Sequence, residues 1–193
     1  MIAINCIYSK PLNKFFKQYF VDYLRKKGKK ISEIYFLKDD DFEKIEKYNE
    51  YDYIVYYTKE PVYKLYRFTK VIILLTDITN TFFDNIDLND NAVIFQYNGE
   101  LFGNYFNNLI IDVGFLSTNT INVSSIEYSI NNEILFTLSV QREFSDIYNN
   151  TIPIQEVIDH YITNVPKKYI DYIPLITVLK IYLNIFNSKT TNL

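Results

Sequence analysis

The sequence predicts an α/β protein: a single-domain α/β/α sandwich built on a mixed central sheet. Three observations predict it. Short apolar strands alternate with helix-forming segments through the first 77 residues, the pattern that builds layered α/β domains. The run "KVIILLT" (70–76) is continuous and β-branched, as in a central parallel strand covered on both faces. No internal repeat or linker interrupts the 193 residues. Residues 1–172 are therefore expected to form one domain, with a C-terminal helix over 173–187 packed on it and a flexible tail over 188–193.

Each element has a local reason. "IAINCIY" (2–8) is a short apolar strand. Pro11 opens the helix that follows, where its missing N–H costs nothing. Leu12, Phe15, Phe16, Tyr19, Phe20, Tyr23 and Leu24 recur there at the spacing of one buried face. Gly28 ends that helix, with Arg25, Lys26 and Lys27 in its last turn beside the negative end of the dipole. "SEIYFLK" (32–38) and "YDYIVYYT" (51–58) read as strands, "DDDFEKIEKY" (39–48) and "PVYKLYRF" (61–68) as helices. Right-handed crossovers then leave ligands outside the carboxyl ends of the strands. Beyond Asp77, "NAVIFQY" (91–97), "NLIIDVGFL" (108–116) and "IQEVIDHYI" (154–162) are further strands, and "NNEILFTLSVQREF" (131–144) is a helix capped by Asn. In the final helix, Thr177, Lys180, Asn184 and Asn187 form a narrow polar stripe. Burial against the domain is its first reading; a peripheral membrane contact or a dimer seam is the second.

Composition removes several function classes. A net charge of −3 argues against a nucleic-acid partner. The single cysteine, Cys6, excludes a disulfide framework and suits a reducing compartment. The N-terminus shows no export signal and no apolar run reaches the roughly 18 residues of a spanning helix, so a cytoplasmic location is expected, with membrane contact at most peripheral. The abundance of Tyr, Phe, Asn, Ile and Lys reads first as the bias of an AT-rich viral or microbial genome. The triplets "NVS" at Asn122 and "NNT" at Asn149 fit a glycosylation pattern that an Asn-rich chain generates by chance. With four glycines there is neither GxGxxG nor GxxxxGK[ST], and there is no GxSxG elbow. What remains is acids at strand ends and the lone histidine, His160. Asp77 directly follows the strand 70–76, where helix capping or turn formation competes with ligand binding. Asp39, Asp40 and Asp41 read as caps of the next helix. A histidine in an apolar strand is commonly a packed side chain bonded to backbone.

Several longer stretches carry a family likeness when taken in order. "CIYSKPLNKFFKQYFVDYLRKKGKKISEIYFLKDD" is a strand, a helix and a strand ending in acids; "KLYRFTKVIILLTDITNTFFDNI" brings an arginine-bearing helix to the strand that ends at Asp77. "LIIDVGFLSTN", "NNEILFTLSVQ" and "VIDHYITNVPKK" follow. This succession resembles the GT-A glycosyltransferases, in their glycogenin-like and galactosyltransferase-like branch, over roughly residues 2 to 169. The resemblance implies a Rossmann-like GT-A fold and a nucleotide-diphospho-sugar donor, with a glycan, protein or lipid as acceptor. It also implies Mn²⁺ (or Mg²⁺) held by Asp77 and His160, with Arg67, Lys167 and Lys168 on the diphosphate and Asp112 and Gly114 beside the donor sugar. Glu133 or Asp112 would remove the acceptor proton in an inverting reaction. A single acid, Asp77, stands where the family has D-x-D, and tryptophan is absent. Two other readings stand beside it: an α/β binding or interaction protein without chemistry, and a metal-dependent nuclease or phosphoesterase using Asp39, Asp77 and Glu133.

Overall fold

A computed structural model describes residues 2–7, 14–35, 50–58, 70–75, 92–97, 109–128, 133–154, 157–163, 170 and 172–186. The chain is mixed α/β, with cores made mostly of sheet and few helices among the described residues. It divides into two units, Met1–Gln96 with Glu100–Ile110 and Tyr97–Gly99 with Ile111–Leu193.

In the first unit, β1 (Ile2–Ile7), β2 (Ile31–Tyr35), β3 (Tyr53–Thr58), β4 (Lys70–Leu75) and β5 (Ala92–Tyr97) pair in the order β2-β3-β1-β4-β5, every pair parallel. Burial follows position in the sheet. Tyr53 to Tyr57 in β3 are buried without a break, and so are Ala92 to Gln96 in β5, whereas β2 at the edge has only Ile31 buried. A strand paired on both sides and covered on both faces loses the alternation of a half-exposed one. β1 therefore lies between β3 and β4, and the strand order reverses there. The carboxyl-terminal residues Ile7 and Leu75 are register partners. In open parallel sheets such a reversal is the crevice where ligands bind.

The helix between β1 and β2 is α-helical over 14–16, turns into a π-helical segment at Lys17–Val21 and continues as α1 (Asp22–Lys26). The expected apolar face is there in Phe15, Phe16, Phe20 and Leu24, while Tyr19 and Tyr23 are half-buried and Leu12 lies outside the described residues. The π turn advances the buried stripe by one position, so Val21 joins it at 0% exposure. Ring pairs Phe15–Tyr19 (4.5 Å) and Phe16–Phe20 (4.7 Å) run along the helix, and Phe16 meets Tyr57 of β3 edge-on at 6.4 Å. Gly28 ends the helix as its sequence position predicts. At φ +77° it is left-handed, its N–H donates to Arg25 and that of Lys29 to Leu24, which is the Schellman closure that satisfies the last carbonyls.

β6 (Leu109–Gly114) belongs to the second unit from Ile111 on, where it pairs parallel with β7 (Ile121–Tyr128), and β7 and β11 (Val157–Thr163) flank β8 (Glu133–Val140) antiparallel. β8 corrects the expectation of a helix over 131–144. Ile134, Phe136, Leu138 and Val140 are buried and the residues between them half-buried, a period of two that no helix satisfies. The Asn pair that reads as a helix cap precedes a strand instead. β7 carries no sequence expectation; a bulge near Ser124, whose hydroxyl donates to Thr137, breaks its register with β8.

The last helix, α2 (Ile173–Tyr182), is shorter than the expected 173–187. It ends in a second Schellman closure: Asn184 is left-handed at φ 53°, and the Asn184 and Ile185 N–H groups donate to Ile181 and Lys180. Of the predicted polar stripe, Thr177 and Lys180 are buried, at 1% and 7% exposure, Asn184 is exposed beyond the helix end, and Asn187 lies outside the described residues. Burial pushes the Lys180 amine down to about 8, and burial together with the charge of Asp146 pushes the Tyr182 hydroxyl up to about 12. A short hairpin, β9 (Phe144–Ser145) and β10 (Thr151–Ile152), docks on this helix end through Ile147 N–H to the Tyr182 carbonyl. Asp146 organises the hairpin turn, accepting from the Tyr148 and Asn150 backbone and from the Asn150 and Asn184 side chains. No helix among the described residues is long and apolar enough to cross a membrane.

Candidate functional site

β6 carries "LIIDVG", a carboxylate in an apolar strand. Asp112 is 1% exposed between the fully buried Ile111 and Val113. A charge in that setting needs a cation and hydrogen bonds to remain ionised. The turn that follows, "FLSTNT", provides the bonds. Asn119 Nδ2 donates to Asp112 Oδ2 at 2.9 Å, while Thr120 N–H and hydroxyl donate to Oδ1 at 2.9 and 2.5 Å. Arg142, two residues past β8, supplies the cation: its Nη2 donates to Oδ1 at 2.7 Å and to the Thr120 hydroxyl at 3.1 Å. Asn119 also closes the turn by accepting from Leu116 N–H at 2.8 Å. The result is a rigid loop whose tip holds Phe115 and Leu116 at 46% and 54% exposure. A carboxylate offers about four acceptor positions; Asp112 accepts from four donors, three on Oδ1 and one on Oδ2.

A second carboxylate, largely enclosed at its side chain, sits on the edge strand of the first unit. Glu33 of β2 is 7% exposed at its side chain and accepts from Arg25 Nη2 at 2.7 Å and from the Tyr35 and Tyr57 hydroxyls at 2.9 Å each. Lys17 Nζ stands 3.6 Å away. Tyr35 and Tyr57 are register partners, and their rings stack 4.6 Å apart at 7°. Burial pushes the Glu33 carboxyl up, and the bonds from Arg25, Tyr35 and Tyr57 outweigh it and hold it below the usual range. Tyr35 and Tyr57 lie near the carboxyl ends of their strands, on the side where a parallel sheet takes ligands.

The other candidate residues are distributed as follows. Asp112 and Gly114 share the buried half of β6, and Gly114 registers with Asn122 of β7. Glu133 is the half-buried first residue of β8, at a strand start and not at a helix cap. Backbone pairing sets Glu133 opposite Thr163 and His160 opposite Phe136, along the same β8–β11 ladder. The His160 side chain lies outside the described residues, as do Asp39, Arg67, Asp77, Lys167 and Lys168, and with them the predicted helices 39–48 and 61–68. Among the described residues no group of three or more His, Cys, Asp or Glu side chains is arranged to hold a metal ion.

Sequence reasoning missed Arg142, Asn119 and Thr120. A signal existed: an acid inside "LIIDVG" demands a cation, and the chain has only three arginines. Compared with known proteins, no family model matches the chain and no curated protein matches it.

Proposed function

We propose that the protein is a glycosyltransferase that takes a sugar from a nucleotide-diphosphate donor with the help of a divalent cation. One observation carries this reading: the strand reversal at β1 and β4, whose carboxyl-terminal residues Ile7 and Leu75 are register partners, with Asp77 only two positions further along the chain. A crevice of that kind takes a nucleotide or phosphate ligand in open α/β sheets. In this reading the fold is of the GT-A type. Asp77 and His160 are the metal ligands, and a mixed oxygen and nitrogen donor set suits Mn²⁺ ahead of Mg²⁺. The cation, when bound, neutralises the charge that develops on the leaving diphosphate. Lys167, Lys168 and Arg67 add point charges to the same phosphates. Glu133 is the base that accepts the acceptor's proton, since Asp112 is buried and already accepts from four donors, Arg142 among them.

Thermal unfolding with a panel of nucleoside diphosphates, with and without Mn²⁺, tests the reading. The expected result is a midpoint raised by at least one nucleotide in a Mn²⁺-dependent way, and a loss of that rise in His160→Ala. Midpoints indifferent to every nucleotide in the presence of metal would overturn it. The second reading, an α/β binding protein without chemistry, would then lead. The burial of Asp112 among four donors, Arg142 included, favours that alternative, because a carboxylate so bound serves to hold a loop.

A further inference from the structure

Arg142 is anchored at one end and open at the other. Its Nη2 is committed to Asp112 and to the Thr120 hydroxyl, so the guanidinium plane is fixed by a buried carboxylate and a turn. Its side chain is nonetheless 45% exposed, and among the described residues Nη1 and Nε donate to no protein group. Those atoms carry three N–H donors. A purely structural ion pair gains most when both nitrogens of the fork face the carboxylate. Here a single nitrogen does the anchoring, and the side chain that carries the rest of the fork is 45% exposed. A guanidinium held at low entropy with a free donor edge is suited to an anionic, multi-oxygen ligand.

We propose that Arg142 forms a phosphate-binding site, taking a phosphoryl or diphosphoryl group on its Nη1 and Nε donors while Asp112 holds it in place. The site requires neither a cation nor sugar transfer, so it stands or falls apart from the glycosyltransferase reading.

Inorganic pyrophosphate is the probe, in metal-free buffer with chelator, at low and moderate salt. Titration calorimetry on the full chain should show saturable binding to the wild type, weakened at least tenfold in Arg142→Lys, which keeps the charge and loses the fork. Because substitution there also frees a buried carboxylate, the unaltered protein provides a second measurement. An arginine-directed dicarbonyl reagent, followed by peptide mass mapping, reads Arg142 separately from Arg25 and Arg67. Pyrophosphate should slow modification of Arg142 several-fold and leave Arg25 unchanged. Absence of binding to the wild type, equal binding by a folded Arg142→Lys, or modification of Arg142 at an unaltered rate would each overturn the site. Protection of Arg142 in a protein that ignores every nucleotide with Mn²⁺ would retain the site and remove the transferase.

Discussion

Glu33 and Asp112 are two answers to one problem. Each is a carboxylate enclosed at its side chain, each is 2.7 Å from one Nη2 of a half-exposed arginine, and each arginine follows or precedes its acid by a turn of chain too long for local structure to explain. They differ in what else the arginine does. Arg25 divides its charge between Glu33 and Asp22 and joins a helix to the edge of a sheet, with two tyrosine hydroxyls completing the set. Among the described residues Arg142 has Asp112 as its one acid, and the remaining partners of that acid come from a turn seven or eight residues away. The first arrangement is a junction between elements, spread over several groups. The second is a loop lock, concentrated on one carboxylate. A shared arrangement loses one member gracefully; a concentrated one does not.

That contrast sets an order of effects. Asp112→Ala should be the most damaging single change considered, costing about 3–5 kcal/mol in denaturant unfolding, because it strands a cation and three further donors around a buried site. Glu33→Ala should cost less, about 2 kcal/mol, since Arg25 retains Asp22 and the tyrosine hydroxyls lie nearer the edge of the sheet. Equal losses, or the reverse order, would break the comparison. A different kind of effect, set by pH, belongs to Lys180, buried without sharing in either cluster. Its folded pKa lies near 8 against 10.5 for the free side chain. Between those values the unfolded chain binds more protons than the folded one, so wild-type stability rises with pH in that window. Lys180→Met should therefore be stabilising at pH 7, and its advantage should shrink by roughly 1 kcal/mol per pH unit from about pH 8 to pH 10. Tyr182, raised to about 12, acts with the opposite sign above pH 10, as its ionisation destabilises the fold there. Paired unfolding curves at several pH values check both signs.

Much of the strand content was legible because its causes are local. The β-branched run from Lys70 to Leu75 and the "YIVYY" of β3 mark interior parallel strands by composition alone. Gly28 announces a helix end because only a left-handed residue closes that turn cheaply. β8 shows where local pattern is ambiguous: "EILFTLSV" contains apolar residues at both helical and strand spacings, and Asn131–Asn132 ahead of it has the chemistry of a helix cap. The alternation Ile134, Phe136, Leu138, Val140 was the better guide, since four aromatic or branched side chains at a period of two fit a sheet flanked on both sides. Thr177 and Lys180, two members of the polar stripe on the last helix, are buried for a different reason. Spacing identifies which residues share a face and says nothing of whether that face meets water, and Lys180 shows that a lysine can be enclosed when its amine is free to shed its proton.

The sequence by itself determined the strands of the first unit and the helix that follows the first of them, the helix stop at Gly28 and the presence of an acid in an apolar strand, because propensity, turn chemistry and side-chain period act over a few neighbouring residues. Tertiary structure alone decided that β3 lies between β2 and β1, that Asp112 meets an arginine thirty positions later, and that Lys180 is buried. Those outcomes depend on which distant segments share a sheet or a core, and the energy of a buried charge depends on partners that no local pattern can name.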